Sequence, residues 1–261
     1  MILVGTAGFS YPDWRGVFYP EGMHERDFLT HYSKQFPFVE LDFTYYAQPR
    51  ARTLAAMAKK VPEGFKFTVK AHKSLTHEIS EGQETNKEFE TFLEGISPLV
   101  QSGRLGCVLA QFPWSFKPSP ENREYLGSLK QRLAGLPTVV EFRNRAWAQE
   151  DTFELLRQCG LGFCCVDEPR LPSLFPPVAV ATGPTGYVRF HGRNAEKWFK
   201  HEQAWERYDY MYSEQELLEW VPRLRDMETK TEETYVAYNN CHRGQAALNA
   251  RMLQELLLRP Q

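Results

Sequence analysis

Cysteine is sparse and follows no pairing pattern. The chain has five, an odd number, and no C-x-x-C spacing, so neither a disulfide framework nor a zinc ribbon is written into it. Three of the five lie in or beside apolar runs, where the residue acts as a small hydrophobe, and a reducing cytoplasm fits that usage. No apolar stretch approaches the roughly 18 residues of a membrane span. The start, Met1 to Gly5, lacks the basic opening and long apolar core of a signal peptide. A cytoplasmic protein without a membrane partner is expected. Basic and acidic residues nearly cancel, at 31 and 33, which leaves no general electrostatic footprint for nucleic acid. Gly5-Thr6-Ala7-Gly8 is too short to be the G-x-G-x-x-G loop of an open dinucleotide-binding sheet.

Strand-like and helix-like stretches alternate along the chain. Strands are expected over Ile2–Phe9, Phe38–Tyr45, Phe65–Ala71, Gly106–Phe112, Thr138–Phe142, Gly162–Val166, Tyr187–Phe190 and Tyr235–Tyr238. Their apolar and β-branched residues favour a pleated, buried surface. Helices are expected over Glu25–Phe36, Arg50–Lys60, Asn86–Val100 and Pro120–Leu133, then from Asp151 to a stop at Gly160, from Ser213, and over Gly244–Leu258. Phe89, Phe92, Leu93, Ile96 and Leu99 recur at the 3–4 spacing of an amphipathic helix. Ser213 to Glu216 reads as a capping box, and Pro222 should kink or shorten the helix it opens. The sixth helix is missing. Five prolines between Pro169 and Pro184 forbid a regular helix there, so Glu168 to Gly186 should cross as an extended, Pro-rich segment. Eight strands and seven helices in one chain of 261 residues fit a single-domain (β/α)8 TIM-barrel-like fold spanning residues 1–261. The runner-up is an open doubly wound sheet.

Several strand segments end in polar residues at alternate positions. Glu40 is followed by Asp42, Lys70 by His72, Glu141 by Arg143, and Arg189 by His191, and Asn239-Asn240 closes the last strand. Residues two apart in a strand share a face. Isolated buried charges are costly. Charges repeated at strand C-termini therefore point to a shared wet site at the mouth of a parallel barrel, where active sites of this architecture lie.

The order of short motifs supplies a resemblance. Gly5-Thr6-Ala7-Gly8-Phe9 with Tyr11, Trp14 and Gly16 opens the set. Val39-Glu40, Thr44-Tyr45-Tyr46, Phe67 to Lys70, Thr76-His77 and Gln111-Phe112-Pro113 follow. Glu141-Phe142-Arg143 with Trp147, Asp167, Arg189 to Arg193, Tyr208-Asp209-Tyr210 and Asn239-Asn240 with Gly244, Ala246 and Asn249-Ala250 complete it. Over nearly its whole length the chain resembles the YecE-like family, the domain of unknown function 72. The resemblance implies a TIM-barrel-like fold and brings no established reaction. The chain departs from the family pattern in having Ala7 for a common Ser, Asp42 for a frequent Asn, and Asn144 and Ala146 for a frequent His and Ser.

The candidate residues admit two roles each. Glu40, Glu141 and Asp167 could act as acid and base, or pair with Lys70, Arg143 and Arg189 in a structural ion network. Lys70, Arg143, Arg189 and Arg193 suit a phosphate or carboxylate on the substrate, or they neutralise the carboxylates. His77 and His191 are proton-shuttle candidates near neutral pH, against the commoner structural role of a lone histidine. Gln111, Asn239 and Asn240 are further strand-end candidates for holding substrate. Trp14 and Trp147 follow strands one and five and are expected to line the pocket. The rings from Asn194 to Tyr212 could form a stacking lid, but most are expected to pack that long loop down. Cys241 beside His242 is a weak nucleophile candidate. Glu40, His72, His77, Glu141, Asp167 and His191 are metal-ligand types, but they are dispersed among cations with no local ligand signature. No cofactor is expected, and a divalent metal is the less favoured alternative.

The leading expectation is an enzyme working by acid–base chemistry on a small polar, anionic molecule, such as a phosphorylated or carboxylated sugar or a nucleotide fragment. Glu141 is the foremost acid–base candidate, with Glu40, His191 and Asp167 beside it. Arg143 and Arg189 are the foremost anion ligands. A metal-dependent phosphoester hydrolase acting on nucleic-acid ends, and a non-catalytic binding module, are the alternatives.

Overall fold

A computed structural model describes residues 1–79 and 83–259. Eight parallel strands close into one barrel in sequence order. They are β1 (Ile2–Ala7), β2 (Phe38–Leu41), β3 (Lys66–Lys70), β4 (Leu105–Phe112), β5 (Thr138–Phe142), β6 (Gly162–Asp167), β7 (Thr185–Phe190) and β8 (Glu233–Tyr238). β8 returns to pair with β1, from Ile2 against Thr234 to Thr6 against Tyr238, so the sheet has no free edge.

Helices alternate with the strands outside the barrel: α1 (Glu25–Tyr32), α2 (Ala51–Ala58), α3 (Gln83–Gln101), α4 (Pro120–Arg132), α5 (Glu150–Gln158), α6 (Glu214–Leu218), α7 (Val221–Lys230) and α8 (Gln245–Leu258). Between β6 and β7 no helix forms. Residues 168–184 run extended or in turns, because each proline there fixes φ and removes a donor. The helix expected from Ser213 is divided. Ser213 caps α6 with the reciprocal box to Glu216. Pro222 stands in the first turn of α7, where its missing N–H costs nothing. β2 stops four residues earlier than expected. Asp42 turns into helical backbone, and the next residues form a short 3-10 turn over Phe43–Tyr45. Thr44 Oγ1 ties that turn to the carbonyls of Leu41 and Lys70.

Strand alternation divides the apolar residues into two bodies. Leu3, Phe38, Leu109, Val139, Cys164 and Tyr235 point inward and fill the barrel. Val39, Val69, Val140, Phe142, Cys165 and Val188 point outward and pack with the helices. Above the inner apolar layer, the same inward faces carry Glu40, Glu141, Arg189 and His191. At the end of β7 the chain must turn away sharply. Gly192 has φ +89° and its amide donates to Tyr212 Oη. A Cβ there would lie 2.8 Å from that of Tyr210. Gly192→Ala is therefore expected to cost about 1–3 kcal/mol, read as a lower urea midpoint at unchanged m-value.

Candidate functional site

Arg189 is the centre of the barrel interior, 1% exposed. Its Nε and Nη2 donate to the two oxygens of Glu40 at 3.0 and 2.6 Å, a bidentate fork. Its Nη1 donates to Glu141 Oε2 at 2.8 Å. Tyr187 Oη adds a third bond to Glu40 and exchanges one with Thr68 beneath it. These contacts fill the interior with a hydrogen-bonded ion cluster. Burial pushes Glu40 above the ordinary carboxylate range, against the pull of Arg189.

Glu141 is the hinge between this cluster and the mouth. Besides Arg189, it accepts Arg143 Nε at 2.8 Å and faces His191 Nε2 at 3.2 Å. Although burial opposes ionisation, Arg143 and Arg189 hold its carboxyl well below the usual range. Guanidiniums thus occupy lone pairs on both oxygens of a carboxylate held ionised, which is the setting of an anchor. His191 is fully buried, and burial with the nearby Arg143 lowers its pKa to about 3. The neutral ring is oriented by its neighbours. Asn239 Nδ2 donates to Nδ1 at 3.1 Å, leaving Nε2–H to donate to Glu141.

Arg143 carries the site outward. It is 17% exposed and its Nη1 lies 3.5 Å from Glu168 Oε2. Glu168 is 3% exposed, and its other oxygen accepts the amide of Phe175 at 3.0 Å. Burial raises its pKa to about 7 in spite of Arg143, with Glu141 adding to the rise. On the far side, Arg143 lines a cavity of about 310 Å³ together with His77, Gln111 and Leu174. The remaining walls come from Trp114 after β4 and from Trp198, Phe199, Arg207 and Tyr208 in the connection after β7. Burial, then the neighbouring Lys70 and Arg143, lower His77 to about 4, so the imidazole at the cavity wall is neutral at pH 7. Lys70 Nζ sits 4.6 Å from the centre of the Tyr45 ring.

The strand-end residues thus divide. Glu40, Glu141, Arg143, Arg189, His191 and Asn239 form one bonded chain, with Lys70 at the adjoining strand end, and His77 and Gln111 reach the cavity. Arg189, expected as an anion ligand, is enclosed by carboxylates. Asp167 does not join this chain. It lies on the outer face of β6 and accepts Arg193 twice at 2.8 Å, Tyr212 Oη at 2.8 Å and Trp220 Nε1 at 2.7 Å. Arg193 goes with it, because Gly192 turns the chain off the inward face. Asn240 also points outward, donating to Tyr210 O and Asn249 Oδ1. Trp14 and Trp147 are both fully buried. Trp14 Nε1 donates to Cys241 O, and Trp147 Nε1 to Phe116 O, with its ring 4.5 Å from that of Phe142. They pack loops against the barrel instead of lining the cavity.

Glu168 was not singled out from the sequence. Strand parity identifies it: Cys164 faces inward, so Val166 and Glu168 follow on that side and Asp167 cannot. The rings after β7 are divided too. Tyr210 and Tyr212 pack around the Asp167 cluster, and Trp205 stacks on His242 at 4.1 Å. Trp198, Phe199 and Tyr208 instead wall the cavity. Cys241 is half-buried and its thiol is pushed up by burial, the opposite of nucleophile activation. Among the described residues no three His, Cys, Asp or Glu side chains are grouped to hold a metal ion, and no helix is long and apolar enough to cross a membrane.

Comparison with known proteins adds relatives. The family model described as "Protein of unknown function DUF72" matches residues 3–261. The chain is 35% identical over 270 residues to the UPF0759 protein YunF of Bacillus subtilis, covering 98% of this chain and 95% of that one. It is similar to the crystal structure of a DUF72 family protein from Thermotoga maritima, with a TM-score of 0.91, 44% identity, and 99% and 100% of the two chains covered. A DUF72 family structure from Enterococcus faecalis matches with a TM-score of 0.88 at 29% identity, covering 100% of this chain and 97% of that one.

Proposed function

We propose that this chain, which belongs to the DUF72 family of proteins of unknown function, is an enzyme that binds a small anionic substrate at the barrel mouth and moves a proton on it. One observation carries the reading. The cavity presents the guanidiniums of Arg143 and Arg207 and, among the described residues, no carboxylate of its own, while a carboxyl tuned to about 7 lies against Arg143. The Nη pair of Arg207 and the remaining Nη2 of Arg143, at a concave site, suit phosphate or carboxylate. A neutral imidazole at the wall is matched to taking up a proton near neutral pH. His77 takes the proton at the cavity wall, and Glu168, buried behind Arg143 and outside the cavity lining, positions that guanidinium and sets the charge beside it. Among the described residues the walls include no Ser, Thr or Cys and do include the His77 imidazole, a composition suited to proton-transfer chemistry, as in isomerases and lyases. Glu141 serves this by fixing Arg143 from behind.

The test is anion binding. Arg143→Met is expected to weaken phosphate monoesters by about 10-fold to 100-fold in calorimetry, the size of one charge-assisted contact. Arg207→Gln, which leaves Glu141 fully paired, is expected to weaken them in the same direction. Unchanged affinity in both variants would overturn the anion site.

A further inference from the structure

Given the anion site just proposed, on which this inference rests, we propose that the substrate's anionic group is attached to a planar aromatic ring, in a molecule of about nucleoside-monophosphate size. The cavity walls carry four aromatic side chains, Trp114, Trp198, Phe199 and Tyr208. Trp114 is 55% and Phe199 61% exposed. Among the described residues neither ring has an aromatic neighbour in stacking range, although most core rings do. Large open ring faces inside a concave site are stacking platforms.

The Trp114 platform is fixed by its own surroundings. Asn144 Nδ2 donates to the Trp114 carbonyl at 2.7 Å and Asn144 Oδ1 accepts the amide of Ala146, so the connections after β4 and β5 lock together beneath the indole. Lys117 Nζ lies 5.2 Å from its ring centre. Across the cavity, Arg207 Nε donates to the Trp198 carbonyl, and its guanidinium sits 5.6 Å from the Trp198 ring and 5.9 Å from the Tyr208 ring. Cations and rings are thus interleaved within one small space, which a ligand carrying both an anion and a π-face satisfies in a single pose.

Composition separates this class from simple sugar phosphates. A polyhydroxylated chain or ring needs several acceptors for its hydroxyl protons. Among the described residues the walls offer the Gln111 amide oxygen, the neutral His77 ring and the Tyr208 hydroxyl, and no carboxylate. Such a ligand would leave hydroxyls unpaired while the ring faces stayed uncovered. The volume, about 310 Å³, lies at the small end of ligand sites and fits one monomer rather than a polymer.

Calorimetry with adenosine monophosphate, phenyl phosphate, ribose 5-phosphate and inorganic phosphate tests the proposal on the intact chain. At least one ring-bearing phosphate is expected to bind about 10-fold or more tighter than ribose 5-phosphate. Trp114→Ala is expected to erase that advantage and leave ribose 5-phosphate unchanged. A nucleotide preferred over phenyl phosphate marks nucleotides as the source of the ring, and the reverse order marks simple arenes. Ribose 5-phosphate binding as tightly as both ring compounds, with its affinity dependent on Arg143, would overturn the ring and keep the anion site. A loss equal for all four probes in Trp114→Ala would also overturn the ring. Absence of binding by every phosphate would overturn the anion site and this inference with it.

Discussion

Arg189→Met is expected to lower the free energy of unfolding by about 3–5 kcal/mol at pH 7, the loss that follows when one partner of a buried ion cluster is removed. Methionine fills much of the volume but returns none of the three bonds that Arg189 gives to Glu40 and Glu141. Glu141 keeps Arg143 and His191. Glu40 keeps only Tyr187 Oη among the bonds to its carboxylate. In the variant, Glu40, already raised by burial, rises further. A carboxyl whose folded pKa exceeds its unfolded value near 4.3 takes up a proton on folding, so the variant gains stability as pH falls. Parent Glu141 behaves oppositely: its pKa is depressed, so its contribution is present above the unfolded value and fades as pH falls through the folded one. The gap between parent and variant should therefore narrow from pH 7 to pH 5 in urea titrations. A gap of constant size would mean that the cluster is not held by charge, and a variant as stable as the parent at pH 7 would remove Arg189 from its structural place.

The second large effect concerns turnover. Once a substrate is in hand, kcat/KM should follow a bell, with an acid limb near pH 4 as His77 is protonated and an alkaline limb near pH 7 as Glu168 ionises. His77→Gln is expected to cut kcat by about 100-fold or more, and Glu168→Gln, which removes the charge change beside Arg143, should remove the alkaline limb. Stability moves the other way. Glu168 has a folded pKa above its unfolded one, so the stability it contributes is present below about 4.3 and lost as pH rises through 7. Glu168→Gln should therefore be as stable as the parent, or more so, at pH 8. A variant that loses turnover through unfolding at pH 8, or that keeps the alkaline limb, would reassign that limb to another group.

Much of the architecture was legible because it rests on local chemistry. Apolar β-branched runs gave the eight strands. Prolines emptied the β6–β7 connection of helix, and Pro222 divided α6 from α7. The strand-end pairs Glu141 with Arg143 and Arg189 with His191 share a face simply because side chains alternate. The same rule explains an error at β6. Parity needs an anchored position, and without knowing that Cys164 faces inward there was no reason to prefer Glu168 to Asp167. Trp14 and Trp147 defeat sequence reasoning for a different reason. Each sits after a strand end in a 3-10 turn, and whether such a turn folds over the mouth or back on the wall depends on distant partners, Cys241 and Phe116. The joining of Glu40 and Glu141 through Arg189 is likewise set by closure of the barrel, across 149 and 48 positions of chain.

The connection after β7 is braced largely by bonds within itself. Asn194 Nδ2 donates to the carbonyls of Glu206 and Asp209, Lys197 pairs with Glu206, and Arg207 holds the Trp198 carbonyl. It supplies four of the cavity's walls, yet none of the bonds that join Glu40, Arg189, Glu141 and Arg143. These four walls therefore stand on a stretch of chain separate from the ion cluster, while Arg143 belongs to both. That stretch can vary without loosening the cluster, and a graft of residues 194–209 from one homologue to another should leave the barrel's melting behaviour in place.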